Sequence, residues 1–140
     1  MSHPEANFYQ VDESIGKSIA PLLLKILSEK KKVLIFCREQ IQIEEIDGAL
    51  WNYGRNKFIP HASIFDKEFE SKRQPVLLTN KEENLNSADY LVFLDEPSKA
   101  FISEFSRVFY FFEEGKNLAK IKPTNFYKKD SGKWVKLTSK

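Results

Sequence analysis

Two stretches of the chain hold residue types that could bind ATP. Gly16-Lys17-Ser18 stands between a short apolar run and a helical pattern, and Leu91-Val92-Phe93-Leu94 runs into the acids Asp95 and Glu96. If complete, these would supply a phosphate cradle and the carboxylates that hold Mg²⁺. The cradle also needs a glycine five positions before Gly16, so that backbone N–H groups can wrap the phosphates, and Val11 occupies that position. A lone Gly-Lys-Ser is read more economically as a turn glycine beside a solvated lysine. No Gly-x-Gly-x-x-Gly occurs, so a dinucleotide site has no support. His3 and His61, the two histidines, lack metal-ligand spacing to Cys37 or to each other. Cys37 would be a nucleophile only if His61 reached it across the fold, whereas a buried thiol explains its apolar surroundings directly. Asp95 and Glu96 could form a catalytic carboxylate pair, yet two acids just before Pro97 also suit a helix N-terminus. No enzyme site, metal or cofactor is expected.

A second set of residues suggests binding rather than catalysis. Trp51 closes the second helical pattern, with Phe58 and Pro60 after a turn. Lys116, Lys120 and Lys122 fall on a helix expected from about Glu113, with Phe126 and Tyr127 just beyond. An apolar cleft rimmed by lysines fits a short acidic peptide ending in a hydrophobic residue, whose anchor fills the cleft while ammonium groups meet carboxylates. Singly, each aromatic also fits a core and each lysine a solvated face. By residue type alone the ligand is a peptide or a nucleic acid.

Charge points the same way without deciding. Gly115 to Lys140 holds eight lysines and one acid, Asp130, whereas residues 1–114 hold 14 basic and 19 acidic side chains. A basic C-terminal segment, 115–140, on a mildly acidic body suits an anionic partner, and equally a solvated tail. The length of 140 residues, 41% of them hydrophobic with twelve Phe, gives one domain with a core of its own. A single cysteine suits a reducing cytoplasm. No apolar run is long enough for a membrane helix, and the first ten residues lack the pattern of a signal peptide.

The elements that must position these residues follow from periodicity. Asn7–Val11 reads as a strand, and Ile19, Leu22, Leu23, Ile26 and Leu27 recur at helical spacing. Val33–Cys37 is apolar without alternation, as in a parallel strand buried on both faces. The next helix carries Ile43, Ile46, Leu50 and Trp51 on one side, opposite Glu39, Glu44 and Glu45, and ends near Gly54. Arg55–Arg73 reads as a long surface connection. Pro75–Thr79, Tyr90–Leu94 and Val108–Phe112 read as strands, and Pro97–Phe105 as a helix with Pro97 in its first turn. The alternation gives an α/β fold, a mostly parallel sheet with helices on both faces.

The order Phe8-Tyr9, Lys32-Val33-Leu34-Ile35-Phe36-Cys37, Asp47-Gly48-Ala49-Leu50-Trp51 and Phe58-Ile59-Pro60-His61-Ala62 resembles the chi subunit family of bacterial DNA polymerase III. Pro75-Val76-Leu77-Leu78, Leu118-Ala119-Lys120 and Gly132-Lys133-Trp134 continue the likeness, which covers nearly the whole chain. The resemblance implies a nucleotide-binding-like, Rossmann-like fold without a nucleotide site, no enzyme activity of its own, and a place in a polymerase assembly. It implies an adaptor that joins the clamp loader to the acidic C-terminal tail of single-stranded DNA-binding protein, that pairs with the psi subunit, and that meets single-stranded DNA mainly through its partner. By the same resemblance Trp51, Phe58 and Pro60 line the tail pocket, Lys120 meets the tail's terminal carboxylate, and Lys116 and Lys122 are neighbouring basic positions. The family often has Arg at the position of Lys120, whose bidentate fork a lysine lacks. Pro123-Thr124-Asn125 interrupts the expected last helix. Two other readings stay open: direct binding of single-stranded DNA through Phe126, Tyr127 and Trp134 as stacking platforms, and a degenerate nucleotide-binding enzyme.

Overall fold

In the computed structural model, residues 4–12, 14–53, 59–66, 73–116, 119–130 and 133–137 are described. The elements in chain order are β1 (Glu5–Val11), α1 (Ile15–Ser28), β2 (Val33–Phe36), α2 (Gln40–Trp51), β3 (Ala62–Ser63), β4 (Val76–Thr79), β5 (Tyr90–Phe93), α3 (Lys99–Ile102), β6 (Arg107–Glu113), β7 (Asn125–Asp130) and β8 (Lys133–Leu137). The strands form one sheet in the order β3-β4-β2-β5-β6-β1-β7-β8. Every neighbouring pair is parallel except β7 with β8. No helix among the described residues is long and apolar enough to cross a membrane.

Burial on both faces explains the unbroken apolar runs. Every residue of β2 and β4 is buried, so neither face of these strands can hold a polar side chain without a partner. Val33, Ile35, Val76, Leu78, Val92 and Phe109 point to the face covered by α1 and α2. Leu34, Phe36, Leu77, Leu91, Phe93 and Val108 point to the other, where Phe101, Ile102 and Phe105 cover them. The two helices over the first face approach closely at Gly16, where a methyl group would overlap that of Ala49. The glycine that suggested a phosphate loop is therefore a helix-packing residue, and Lys17 beside it is exposed.

Four expectations from the sequence are corrected. Trp51 is not on the buried side of α2: Ile43, Ile46 and Leu50 are buried, but Trp51, one position further round, is 58% exposed. The Arg55–Arg73 connection contains a regular element, the two-residue edge strand β3, paired with Leu77 and Leu78; the helix end expected near Gly54 lies outside the described residues. The helix expected over Pro97–Phe105 is only the four residues of α3. It starts later because the Ser98 hydroxyl caps it, accepting from Phe101 N–H at 3.2 Å.

The fourth correction is the largest. Among the described residues no helix follows Glu113: β6 runs to that residue, Gly115 turns the chain at φ 79°, and Ala119 and Ile121 pack on the α3 face. Pro123 cannot donate to a helix. Instead Thr124 bonds back to the first strand, its N–H donating to Ala6 C=O at 2.7 Å and its hydroxyl accepting from Ala6 N–H at 3.0 Å. From there β7 runs parallel to β1, with Tyr127 opposite Tyr9, and β8 returns beside it.

Overpacking at the α1–α2 contact should be measurable. Gly16→Ala is expected to lower the unfolding free energy by about 1–3 kcal/mol in urea denaturation, more than the helix-propensity gain of alanine offsets. The double variant Gly16→Ala/Ala49→Gly should be more stable than the two single changes added together, because it removes the overlap.

Candidate functional site

The carboxyl ends of β2, β5 and β6 open into a groove of about 920 Å³, lined among others by Arg38, Asp95, Glu96, Lys99, Lys116 and Lys120. Asp95 and Glu96 are engaged with backbone. Asp95 Oδ2 accepts from Arg38 N–H at 3.1 Å. The Glu96 carboxylate accepts from Lys120 N–H at 3.0 Å and from Ile121 N–H at 2.9 Å. Arg38 donates from its guanidinium to the Glu96 carbonyl at 2.7 Å. Lys116 pairs with Glu113 at 3.2 Å, with both side chains largely exposed. Glu96 thus fixes the entry of the 119–124 segment to the sheet while Asp95 holds the chain leaving β2 at Arg38, and the two carboxylates are not posed as a facing catalytic pair. No cluster of His, Cys, Asp and Glu suited to a metal occurs among the described residues. Burial, with Asp95 nearby, pushes the Cys37 thiol strongly up, which favours the protonated thiol at neutral pH.

At the other end of the strands, Trp51 closes α2 and its ring lies 4.8 Å from that of His61, centroid to centroid. The His61 side chain is fully buried, with Nδ1 2.7 Å from the Ile59 carbonyl. Its Nε2 is 2.9 Å from Asp47 Oδ1, a close approach that is not aligned as a hydrogen bond. Asp47 lies one helical turn before Trp51, so α2 holds both the exposed ring and the carboxylate facing the histidine beneath it. Pro60, half-buried, stands between Ile59 and His61. Asn52 ends the helix, its side chain donating to Gly48 C=O at 2.8 Å.

The residues expected to share one pocket are therefore divided. Lys116 and Lys120 come together in the groove. Lys122 is exposed further along the same segment, towards Thr124 and the amino end of β1. Trp51 and Pro60 lie at the amino end of β3, Trp51 on the α2 side of the sheet, while the 119–124 segment packs on the α3 side. Phe58 lies outside the described residues. The sequence reading missed Arg38, Lys99 and Asp47; only the i, i+4 spacing of Asp47 and Trp51 could have pointed to one of them.

The rings proposed as a platform for single-stranded DNA are also split. Phe126 packs on the α3 side against Phe8 and Phe112. Tyr127 stacks on Tyr9 at 4.9 Å, Tyr9 stacks on Phe111 at 4.7 Å, and Trp134 meets Tyr9 edge-on at 5.1 Å. The Lys129 ammonium sits 4.8 Å from the Trp134 ring centre. Each of these partly buried rings thus has at least one neighbour within the sheet. Burial, then the neighbouring Tyr127, pushes the Tyr9 hydroxyl up to about 12, so it remains neutral.

Comparison with known proteins gives the family. Residues 3–129 match the family model described as DNA polymerase III chi subunit, HolC. The chain belongs to the DNA polymerase III chi subunit family. It is 31% identical over 105 residues, 73% of its length, to a Rickettsia prowazekii protein named "Probable DNA polymerase III subunit chi", and 35% identical over 77 residues, 55% of its length, to the DNA polymerase III subunit chi of Pseudomonas aeruginosa. These alignments span 62% and 51% of the two relatives. In this chi-family chain the match runs from the start of β1 into β7 and so includes both the groove and Trp51, while β8 lies past it.

The Glu96 clasp gives a direct test of how the lysine segment is held. Removing it by Glu96→Ala should cost the charge-assisted bonds to two backbone N–H groups, about 1.5–3 kcal/mol of local stability. Hydrogen exchange at Lys120 and Ile121 is then expected to speed up by about tenfold or more, with little change in the β2 amides.

Proposed function

We propose that this chain is a non-catalytic adaptor of the DNA polymerase III assembly, with a nucleotide-binding-like fold, that captures the acidic C-terminal tail of single-stranded DNA-binding protein. The supporting observation is Trp51, a large ring 58% exposed yet fixed at a helix end against a buried histidine. Such a ring loses little freedom on binding and suits a hydrophobic anchor of the partner. Membership of the chi family supports the same reading. Pro60, and Phe58 by its place in the sequence, complete the apolar part of the site.

The lysines serve the acidic part. An extended segment of about ten residues reaches about 33 Å, and five strand spacings from β3 to β1 amount to about 24 Å. One tail anchored at Trp51 can therefore span the lateral distance to Lys122, near the amino end of β1, while Lys120 and Lys116, at the carboxyl ends of the strands, add attraction by charge at longer range. Psi or another clamp-loader component is the second partner in this reading, and single-stranded DNA is reached through the tail-bearing protein.

Anisotropy of a labelled peptide copying such a tail, acidic and ending in a hydrophobic residue, tests the site. Trp51→Ala is expected to weaken binding by about thirtyfold, the roughly 2 kcal/mol of an aromatic hot spot. Lys120→Ala should cost about two- to threefold at low salt and less as salt rises. Unchanged binding by Trp51→Ala, or no binding by the unsubstituted chain at about 100 μM peptide, would sink the proposal.

A further inference from the structure

The two edges of the sheet are finished differently. At β3 the Ser63 N–H donates to Asp66 Oδ2 at 2.8 Å and the Phe65 N–H donates to the Ser63 hydroxyl at 3.2 Å, so the chain's own side chains occupy backbone donors there. At β8 the described residues show pairing with β7 alone. Alternate residues along the far side of β8 thus direct N–H and C=O groups outward.

The side chains of β8 are as open as its backbone. Val135 and Leu137 are each 43% exposed and share a face with Lys128 and Phe126, the residues directly opposite them. Lys133 and Lys136 are exposed as well. Together β7 and β8 carry Lys128, Lys129, Lys133 and Lys136 against one acid in their sequence, Asp130.

We propose that β8 is a docking edge that accepts an acidic, extended segment of a partner protein as an added strand. Main-chain hydrogen bonds supply the affinity, Val135 and Leu137 receive alternate apolar side chains, and the lysines select for acids. Charge decides the occupant. A second copy would set two lysine-rich strands side by side, and like charges across a ladder are destabilising. A nucleic acid would satisfy the lysines but not the backbone donors and acceptors, and the nearby Tyr127 and Trp134 rings are already engaged with Tyr9. Because β8 lies beyond residues 3–129, family membership assigns it no role.

The test uses the full chain, labelled with ¹⁵N, and a capped eight-residue peptide alternating Glu and Val. Binding is expected to shift amide signals in β7 and β8 and to slow exchange of the outward β8 amides by about tenfold. Lys133→Glu/Lys136→Glu should weaken binding by about tenfold or more, and Lys136→Pro, at a position whose N–H faces away from β7, should weaken it well beyond Lys136→Ala by blocking the ladder. Trp51→Ala should bind the peptide as the unsubstituted chain does, which separates this edge from the tail site. The proposal is overturned if β8 amides do not respond at millimolar peptide, if a peptide alternating Lys and Val or an oligonucleotide produces the same response, if Trp51→Ala abolishes binding, or if sedimentation shows the chain self-associating through β8.

Discussion

β1 lies inside the sheet, between β6 and β7, and much of the second half of the chain depends on that placement. The first strand cannot satisfy its backbone until residues about a hundred positions later arrive on both sides. Arg107 reaches Glu5 at 2.6 Å, and Thr124 reaches Ala6. Burial raises the Glu5 carboxyl, but hydrogen bonds from Asn7 and Arg107 and the Arg107 charge outweigh it and hold it below its ordinary value. That contact therefore strengthens once Glu5 is ionised and fades as pH falls through its lowered range. The ladder Phe111–Tyr9–Tyr127 runs across three strands at this seam. Contacts of such long sequence separation are slow to form and must be tightly specified once formed, which accounts for the density of rings here.

The same economy explains what became of the chemically suggestive residues. In parallel sheets the carboxyl ends of strands leave backbone groups to be satisfied, and that edge is also where open α/β sheets hold ligands. Here Asp95 and Glu96 spend their oxygens on N–H groups of Arg38, Lys120 and Ile121. Gly16 serves helix packing and Cys37 fills core. The residues keep their types but act through packing and polar satisfaction.

Much of this was legible in advance. The unbroken apolar runs at Val33, Pro75 and Tyr90 could only be strands covered on both faces, and α1 and most of α2 followed from spacing. The C-terminal quarter was misread because lysine content favours a helix while the decisive facts are non-local: Pro123 prevents a helix, and β1 supplies an edge on which Asn125–Asp130 can pair. Trp51 was misplaced for a local reason. One residue step turns a helix by about 100°, enough to carry a ring from beside the buried Leu50 into solvent. The separation of Trp51 from Lys120 is a matter of topology, which residue types cannot report.

That separation bears on how a partner is recognised. A compact ligand would meet either the ring at the amino ends of the strands or the lysines of the groove, not both. An extended acidic chain can do both in turn, taking specificity from a rigid apolar anchor and attraction from charges spread along its path. An exposed tryptophan on a flexible loop would pay part of its binding energy for ordering. Fixed by α2 and backed by the buried His61, Trp51 has little left to order, which is what the proposed capture of a disordered tail would require.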